Sequence, residues 1–183
     1  MQVFHGLDAL PAFRHPAVTI GSFDGVHRGH RALIDRLLAE ARRNGGESIV
    51  MTFDPHPRVA LGRESGLQLL TTLGEKLELL EEAGVDAVIV VPFDRAFSAL
   101  SGEEFVSRIL IGRLHAETLV AGFNHRFGHD RCTCEAAVGG RMKVVRVPAC
   151  EVEGVQVGST RIRQLLAEGR RAEAEKLAGH PLK

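Results

Sequence analysis

Two histidines three residues apart, His27 and His30, carry the clearest chemical pattern in the sequence. They follow a short apolar run, residues 17–22, and open an amphipathic segment, residues 28–43, so they lie where a strand becomes a helix. On the first turn of a helix these two side chains share a face. Imidazoles in that place can donate hydrogen bonds to phosphates and stabilise the charge that grows on them as pyrophosphate leaves ATP.

The turn that carries the pair is rich in glycine. Gly21, Gly25 and Gly29 allow tight turning and a close approach of backbone to ligand. A helix that begins at the carboxyl end of a strand offers free N–H groups and a positive dipole end. The context therefore favours a phosphate site over two alternatives. One is a pair of solvated surface histidines, and the other is a zinc pair, which lacks the i, i+4 spacing and a third ligand nearby.

A second candidate for phosphate binding lies near the end of the chain, in the segment Gly-Ser-Thr-Arg-Ile-Arg. Ser159 and Thr160 are natural N-cap residues, so simple capping of a helix is the alternative interpretation. Their hydroxyls and the free N–H groups beside them can also hold a phosphate. Arg163, one turn further on, can then neutralise leaving pyrophosphate as a planar donor.

Strand and helix patterns alternate along the chain, which predicts an α/β fold. Near-continuous apolar strands indicate a parallel sheet with helices on both faces, a Rossmann-like arrangement. We expect one domain over residues 1–183 with a five-stranded sheet. The predicted strands are residues 17–22, 47–53, 86–91, 117–121 and 143–147. The predicted helices are residues 28–43, 72–83 with Gly84 at the C-cap, one opened by the capping box of Ser101 and Glu104, 160–168 and 171–178.

Composition excludes several classes of protein. The 183 residues include 23 basic and 23 acidic side chains, and neither Trp nor Tyr. Balanced charge and few aromatic residues argue against nucleic acid as a partner. No apolar run is long enough to span a bilayer, the N-terminus does not resemble a signal peptide, and three cysteines make no disulfide framework. We therefore expect a cytoplasmic protein that binds neither nucleic acid nor membrane.

The first motif, Gly-Ser-Phe-Asp-Gly-Val-His-Arg-Gly-His, resembles the signature of the HxGH nucleotidyltransferases. Its Phe-Asp-Gly form is similar to the FMN adenylyltransferase module of bacterial FAD synthetases. The resemblance implies that His27 and His30 are ligands of the ATP phosphates. It also implies a nucleotide-binding border made by Gly21, Ser22, Phe23, Asp24, Gly25 and Gly29. The second motif is similar to the family's Ser-Ser-Thr-x-Ile-Arg, with Gly158 in place of the first Ser.

Two further segments resemble the family's acceptor side. Gly-Phe-Asn-His-Arg-Phe-Gly is similar to Gly-x-Asn-Phe-Arg-Phe-Gly, which places Asn124 where the family positions nucleotide and flavin phosphate and assigns Arg126 to the same site. His125 departs from the family's Phe. The segment after the second strand is similar to the Phe-x-Pro-His-Pro loop that shapes the flavin pocket, and its members are Phe53, Pro55, His56 and Pro57. The later stretch from Phe93 to Phe105 is interpreted as structural.

The resemblance implies adenylyl transfer from ATP to FMN, with Mg²⁺ bound by the triphosphate and no general base, because a phosphate nucleophile is already anionic. Other open alternatives are another phosphate-monoester acceptor, such as phosphopantetheine or nicotinamide mononucleotide, and CTP as donor. A non-catalytic flavin- or nucleotide-binding protein is a third. A nucleic-acid-binding module is disfavoured by the charge balance.

Two departures from the family pattern concern the choice of acceptor substrate and the source of that substrate. No riboflavin kinase region follows residue 181 in this sequence, which implies that a separate riboflavin kinase supplies FMN. The region after Gly128 is shorter, and we expect its helix to be reduced or lost. His129, Cys132 and Cys134 there leave a metal site open as an alternative to a loop with small buried thiols. Residues 54–70 read as a functional loop.

Overall fold

A six-stranded parallel sheet forms the centre of the computed structural model, which describes residues 1–62 and 66–182. Its strands are β1 (Gln2–His5), β2 (Ala17–Ile20), β3 (Ser48–Phe53), β4 (Ala87–Val91), β5 (Thr118–Gly122) and β8 (Lys143–Val147). Two short antiparallel pairs lie outside it. They are β6 (Arg126–Phe127) with β7 (Cys132–Thr133), and β9 (Glu151–Val152) with β10 (Val155–Gln156).

The α/β class and all five predicted strands are confirmed. The prediction of a five-stranded sheet was wrong, because the sheet has a sixth strand. The sixth strand, β1, pairs in parallel with β4 at the edge of the sheet. Three of its four residues are exposed, so it lacks the continuous apolar run by which the buried strands were identified. An edge strand of this kind is held by backbone pairing, which leaves little trace in the sequence.

The strand order is β1-β4-β3-β2-β5-β8. From β2 the chain first winds outward through β3 and β4, and it then returns to place β5 on the other side of β2. The order therefore reverses between β2 and β5. In open α/β sheets the crevice outside the carboxyl ends of strands at such a reversal is where ligands bind.

The helices connect the strands and cover both faces of the sheet. Their bounds are α1 Arg28–Arg43, α2 Pro57–Ala60, α3 Leu73–Glu82, α4 Arg95–Ser98, α5 Gly102–Phe105, α6 Cys134–Val138, α7 Ser159–Ala167 and α8 Arg171–Ala178. A wide-turned π-helical segment, Val106–Ile111, continues α5. The capping box of Ser101 and Glu104 is present. Gly84, with φ of 84°, lies one residue beyond the C-cap Ala83 of α3.

Side chains alternate between two apolar layers along the central strands. On one face, Val50 and Val88 pack with Ile34 and Leu37 of α1 and Leu80 of α3. The opposite face packs α5, the π-helical segment and α6 against the sheet. A smaller apolar cluster joins α7 and α8 to the loop before α3. Together these layers fix the helix starts that face the carboxyl edge of the sheet.

Two local predictions need correction, and the helix expected to be reduced or lost is present in short form. Residues 54–70 are not loop throughout, since they include the one-turn helix α2, whereas residues 63–65 lie outside the described part of the chain. The helix after Gly128 is reduced to the five residues of α6 and is not lost. Neither Ser159 nor Thr160 is the N-cap of α7, because Gly158 holds that position.

No helix within residues 1–62 and 66–182 has the length and apolar character needed to cross a bilayer.

Candidate active site

The first motif forms a tightly turned loop, residues 21–27, between β2 and α1; we call it the glycine loop. Three residues with left-handed backbone shape it, namely Phe23 (φ 48°), Gly25 (φ 80°) and Val26 (φ 31°). Phe23 and Val26 are both buried and anchor the loop to the core beneath α1. A Cβ at Gly25 would lie 2.8 Å from a methyl group of Leu70, so only glycine fits there without displacement.

Asp24 lies at the centre of the loop and is 1% exposed. Its Oδ1 accepts hydrogen bonds from the amides of Leu70 (2.8 Å) and Thr71 (3.3 Å). Its Oδ2 forms an ion pair of 2.5 Å with Nη2 of Arg163. The Asp24 carbonyl also accepts a hydrogen bond from the Ser159 hydroxyl at 3.0 Å. One residue therefore joins the glycine loop, the segment before α3 and the start of α7.

The second motif lies directly beside the first, although more than 130 residues separate Asp24 from Ser159 and Arg163 along the chain. Arg163 also donates through Nε to the Gln68 carbonyl at 2.8 Å. No side chain caps the start of α7, so its first amides remain available to an anion. Thr160 is exposed at this helix start, where it can reach a ligand. The structure thus brings together the phosphate-site residues predicted from both motifs.

His27 is the N-cap of α1, and its Nδ1 accepts a hydrogen bond from the His30 amide at 3.3 Å. The ring is buried, and burial lowers the pKa of His27 to about 4. At neutral pH the ring is therefore uncharged. Because Nδ1 accepts, Nε2 carries the remaining proton and can donate to a ligand.

The His30 ring stacks on the His27 ring, with centroids 3.6 Å apart and planes inclined by 13°. Burial lowers the pKa of His30 well below its ordinary value, and the charges of Lys76 and of His27, when that ring is protonated, lower it further. Nδ1 of His30 is buried without a hydrogen-bond partner. Gly29 permits the stack, since a Cβ there would lie 3.2 Å from the His27 ring. The two imidazoles form a neutral pair at the start of a helix.

The segment after α8 braces the glycine loop from outside. His180 donates through Nε2 to the Gly25 carbonyl at 2.8 Å. Arg28, the first residue of α1, donates to the Lys176 carbonyl at 2.8 Å. Sequence reasoning missed both contacts, because they join residues roughly 150 positions apart and leave no local pattern.

A cavity of about 790 Å³ opens on the other face of the sheet, beside β3 and β5. We call it the aromatic cavity. Its lining residues are Ile20, Phe53, Pro57, Leu61, Phe93, Phe97, Ser98, Leu100, Phe105, Asn124, His125, Arg126, Phe127, Gly128, His129 and Arg131. A largely apolar and aromatic lining with a few polar groups is typical of a small-molecule binding site.

Edge-to-face aromatic contacts build the floor. Phe53 meets Phe93 at 5.2 Å and Phe97 at 5.6 Å between ring centroids, and Phe97 meets Phe105 at 5.8 Å. The interpretation of the stretch from Phe93 to Phe105 as mainly structural missed this role. Phenylalanines at helical spacing indicate a core equally well, so the sequence held no signal that separated a cavity wall from a core.

The acceptor residues predicted from the sequence fall into two groups. Phe53, Pro57, Asn124 and Arg126 line the aromatic cavity. Pro55 is exposed and follows a cis peptide bond after Asp54.

His56 lies outside the cavity wall, as the N-cap of α2. Burial lowers its pKa, the charge on Asp24 raises it, and the charge on Arg163 lowers it. The prediction that His56 shapes the acceptor pocket is therefore not supported, since the side chain is absent from the cavity wall.

His125 is half-buried in the cavity wall, and its ring meets Phe127 edge-on at 4.8 Å. Burial, with the nearby Arg146 charge, lowers the pKa of His125 to about 4. Cys134 is buried beneath it, and burial raises the pKa of that thiol to about 11. Within residues 1–62 and 66–182 no three His, Cys, Asp or Glu side chains are grouped to hold a metal, so His129, Cys132 and Cys134 form no such site.

Comparison with known proteins agrees with these motifs. The sequence profile of the FAD synthetase family matches residues 11–162. The bifunctional riboflavin kinase/FMN adenylyltransferase of Escherichia coli K12 is 40% identical over 169 residues, which cover 90% of this chain and 54% of that protein. The protein of that name from Pseudomonas fluorescens is 36% identical over 189 residues and covers 100% of this chain and 60% of its own. The chain spans little more than half the length of these relatives.

Solved structures share the fold. A crystal structure described as a macrolide-efflux protein from Streptococcus pneumoniae superposes with a TM-score of 0.87 at 30% identity, over 100% of this chain and 63% of that one. Pantothenate synthetase from Thermus thermophilus superposes with a TM-score of 0.56 at 19% identity, over 98% of this chain and 81% of that one. The second likeness shows the fold alone.

We predict that Asp24→Asn lowers the free energy of unfolding by roughly 3 kcal/mol, because it leaves the Arg163 cation without its buried partner. Asp35→Asn removes an exposed ion pair with Arg31 on α1 and should stay within about 0.5 kcal/mol of wild type. Chemical denaturation of both variants measures the difference. Equal stability of the two would show that the Asp24 pair does not hold the loops together.

We predict that stability falls with acid between about pH 6.5 and pH 4, in part through His125. The folded state holds this imidazole neutral down to about pH 4, whereas the unfolded chain protonates it from about pH 6.5. The unfolded state therefore binds more protons in this window, and lowering the pH favours it.

His125→Phe should remove up to about 3 kcal/mol of that pH-dependent loss. The same substitution at His5, which is exposed on β1, is the control because no burial penalty is removed there. Denaturant midpoints at pH 7 and pH 4.5 test this, and an identical acid loss in His125→Phe and wild type would contradict it.

Proposed function

Because this chain belongs to the FAD synthetase family, we propose that it catalyses adenylyl transfer from ATP to FMN, giving FAD and pyrophosphate. In this reaction an oxygen of the FMN phosphate attacks the α-phosphorus of ATP. The bond from that phosphorus to the bridging oxygen of the β-phosphate breaks, and pyrophosphate leaves with the electron pair. The relatives' names pair FMN adenylyltransferase with riboflavin kinase, so we also propose that a riboflavin kinase supplies the FMN.

The observation that carries the proposal is the stacked, neutral pair of His27 and His30 at the N-terminus of α1. Neutral imidazoles donate N–H groups without bringing charge that would have to be neutralised in the absence of ligand. The helix start adds its positive dipole end in the same direction. Donors fixed in this way stabilise the negative charge that develops on the phosphate oxygens without reorganising during the step.

We expect the start of α7 to hold the departing pyrophosphate. Ser159, Thr160 and Arg163 line this start, and the guanidinium of Arg163 is already oriented by Asp24 and by the Gln68 carbonyl. Only two of its five N–H donors take part in those contacts. The others can face a phosphate while the ion pair with Asp24 persists, so that the cation is held ready for the charge that forms.

The aromatic cavity supports a flavin as acceptor. Its phenylalanine floor suits the flat isoalloxazine ring, and Asn124 and Arg126 at its rim suit a phosphate ester. The cavity and the histidine pair approach the carboxyl edge of the sheet from opposite faces, around β2 and β3. An acceptor bound in the cavity would therefore bring its phosphate to the edge where the nucleotide loop begins.

Mg²⁺ enters the proposal as a partner of ATP. The described residues contain no cluster of carboxylates or imidazoles able to hold a metal, and both carboxylate oxygens of Asp24 are already engaged. The donor set fits an ion bound mainly by triphosphate oxygens and water. The ion would supply positive charge to the leaving pyrophosphate.

The acceptor is tested by a pyrophosphate-release assay with ATP and Mg²⁺ across FMN, riboflavin, nicotinamide mononucleotide and phosphopantetheine, with products identified by mass. We expect FAD, formed from FMN alone. Release with a different acceptor would keep adenylyl transfer and discard the flavin. Nucleotide binding without release for any acceptor would favour a non-catalytic binding protein.

We predict that His30→Ala lowers kcat with ATP and FMN by about 100- to 1000-fold, as expected for loss of a donor to a developing oxyanion. The variant should still fold, because Nδ1 of His30 has no hydrogen-bond partner, but loss of the ring contacts with His27 and Phe23 should lower its free energy of unfolding, so turnover is compared at a temperature where both proteins are folded. His5→Ala, on the exposed face of β1, is the matched control and should retain wild-type turnover. Turnover within twofold of wild type in His30→Ala would remove His30 from the reaction.

A further inference from the structure

Lys76 is a buried ammonium group that the proposed reaction does not yet use. It lies in the second turn of α3, the helix that connects β3 with β4, and is 6% exposed. Its Nζ donates to the hydroxyl of Thr52 at 3.3 Å. Lysine is almost never buried to this degree unless it is paired, so the position calls for a physical reason.

The buried carboxylates of Asp24 and Glu40 have counter-ions, whereas the buried ammonium of Lys76 does not. Asp24 pairs with Arg163, and Glu40 pairs with Lys143 and Arg36. Within the described part of the chain no carboxylate lies at ion-pair distance from Lys76, and its hydrogen bond goes to a neutral hydroxyl. Burial lowers the pKa of Lys76, and the more distant charges of Asp24 and Asp54 only partly oppose that effect. The folded chain therefore carries an electrostatic cost at this position.

The position of Lys76 relates this cost to the phosphate site. The Thr52 hydroxyl that accepts from Lys76 itself donates to the Ser22 carbonyl in the glycine loop, at 3.1 Å. The charge on Lys76 also lowers the pKa of His30 and that of His56. The ammonium thus lies beneath the glycine loop, on the face of the sheet that carries α1.

We propose that Lys76 is a phosphate-binding residue whose ammonium group pairs with the triphosphate of ATP beneath the glycine loop. This inference rests on the proposed function and adds a residue to it. The flexible four-carbon stem allows the ammonium to leave Thr52 and turn toward a phosphate bound at the glycine loop. A bound phosphate acts as the counter-ion that Lys76 lacks in the ligand-free protein. Binding therefore removes the unfavourable free energy of the unpaired buried ammonium, and this gain adds to the affinity for the phosphate.

A purely structural role makes the opposite prediction about stability. If Lys76 served to hold the glycine loop through Thr52, its removal would weaken the fold. If it is an unpaired cation awaiting a ligand, replacing it by an apolar side chain of similar length should strengthen the ligand-free fold. Thr52 tolerates the loss, because its hydroxyl keeps its own acceptor at Ser22.

The experiment compares wild type with Lys76→Met, first by thermal unfolding without ligand and then with inorganic tripolyphosphate as the probe of the triphosphate site. We expect the variant to melt a few degrees higher than wild type without ligand and to lose most of the upward shift that tripolyphosphate gives wild type. We also expect kcat/KM for ATP to fall about 10- to 100-fold, the range for a lost charge-assisted hydrogen bond.

Thr52→Val is the control for the structural route, since it removes the hydroxyl that links Lys76 to the glycine loop. It should lower the ligand-free melting temperature and keep most of the tripolyphosphate shift. If Lys76→Met instead melts lower than wild type and is stabilised as much by tripolyphosphate, Lys76 is structural and the inference fails while the phosphate site stands. If tripolyphosphate does not stabilise wild type, the phosphate site of the proposed function fails with it.

Discussion

The buried ion pair between Asp24 and Arg163 is the interaction on which the site depends. A carboxylate that is almost completely removed from water is tolerated only when its oxygens are fully engaged. Asp24 meets this condition with two amides from the segment before α3 and the guanidinium from α7. Satisfying its oxygens therefore requires two distant segments to converge on the glycine loop. The same convergence brings the uncapped start of α7 beside the start of α1.

Burial has a second consequence, which concerns protonation. The glycine loop is packed so closely that the pKa values of both His27 and His30 fall far below neutrality. Beside these neutral rings lie two cations, Arg163, which is paired with Asp24, and Lys76, which has no carboxylate at ion-pair distance among the described residues. A bound triphosphate would thus contact the neutral imidazoles and the N-termini of α1 and α7, and the two cations would lie beside it. This division suits a reaction in which charge moves from an acceptor phosphate to a leaving pyrophosphate.

The two faces of the sheet divide the proposed substrates between them. The face covered by α1 and α3 carries the histidines and Lys76, and the opposite face carries the aromatic cavity. The reversal of strand order beside β2 opens the crevice at which both meet. His125, where the family pattern has Phe, places a neutral imidazole in an otherwise phenylalanine-rich wall. It is the clearest difference between this cavity and the pattern that the sequence resembles.

The sequence by itself determined the α/β class, five of the six strands of the main sheet, and the residues of the two motifs proposed to bind phosphate, because these depend on local periodicity, glycine turns and residue spacing. It did not reveal the edge strand β1, the cavity wall formed by Phe93 and Phe97, the brace from His180, or the isolation of Lys76. Each of these is decided by contacts between residues far apart in the chain. The spacing of a phenylalanine or lysine in the sequence is the same whether its side chain faces the core, a cavity or a ligand. Only the tertiary structure decided them, since burial and the availability of a counter-ion are properties of the packed chain.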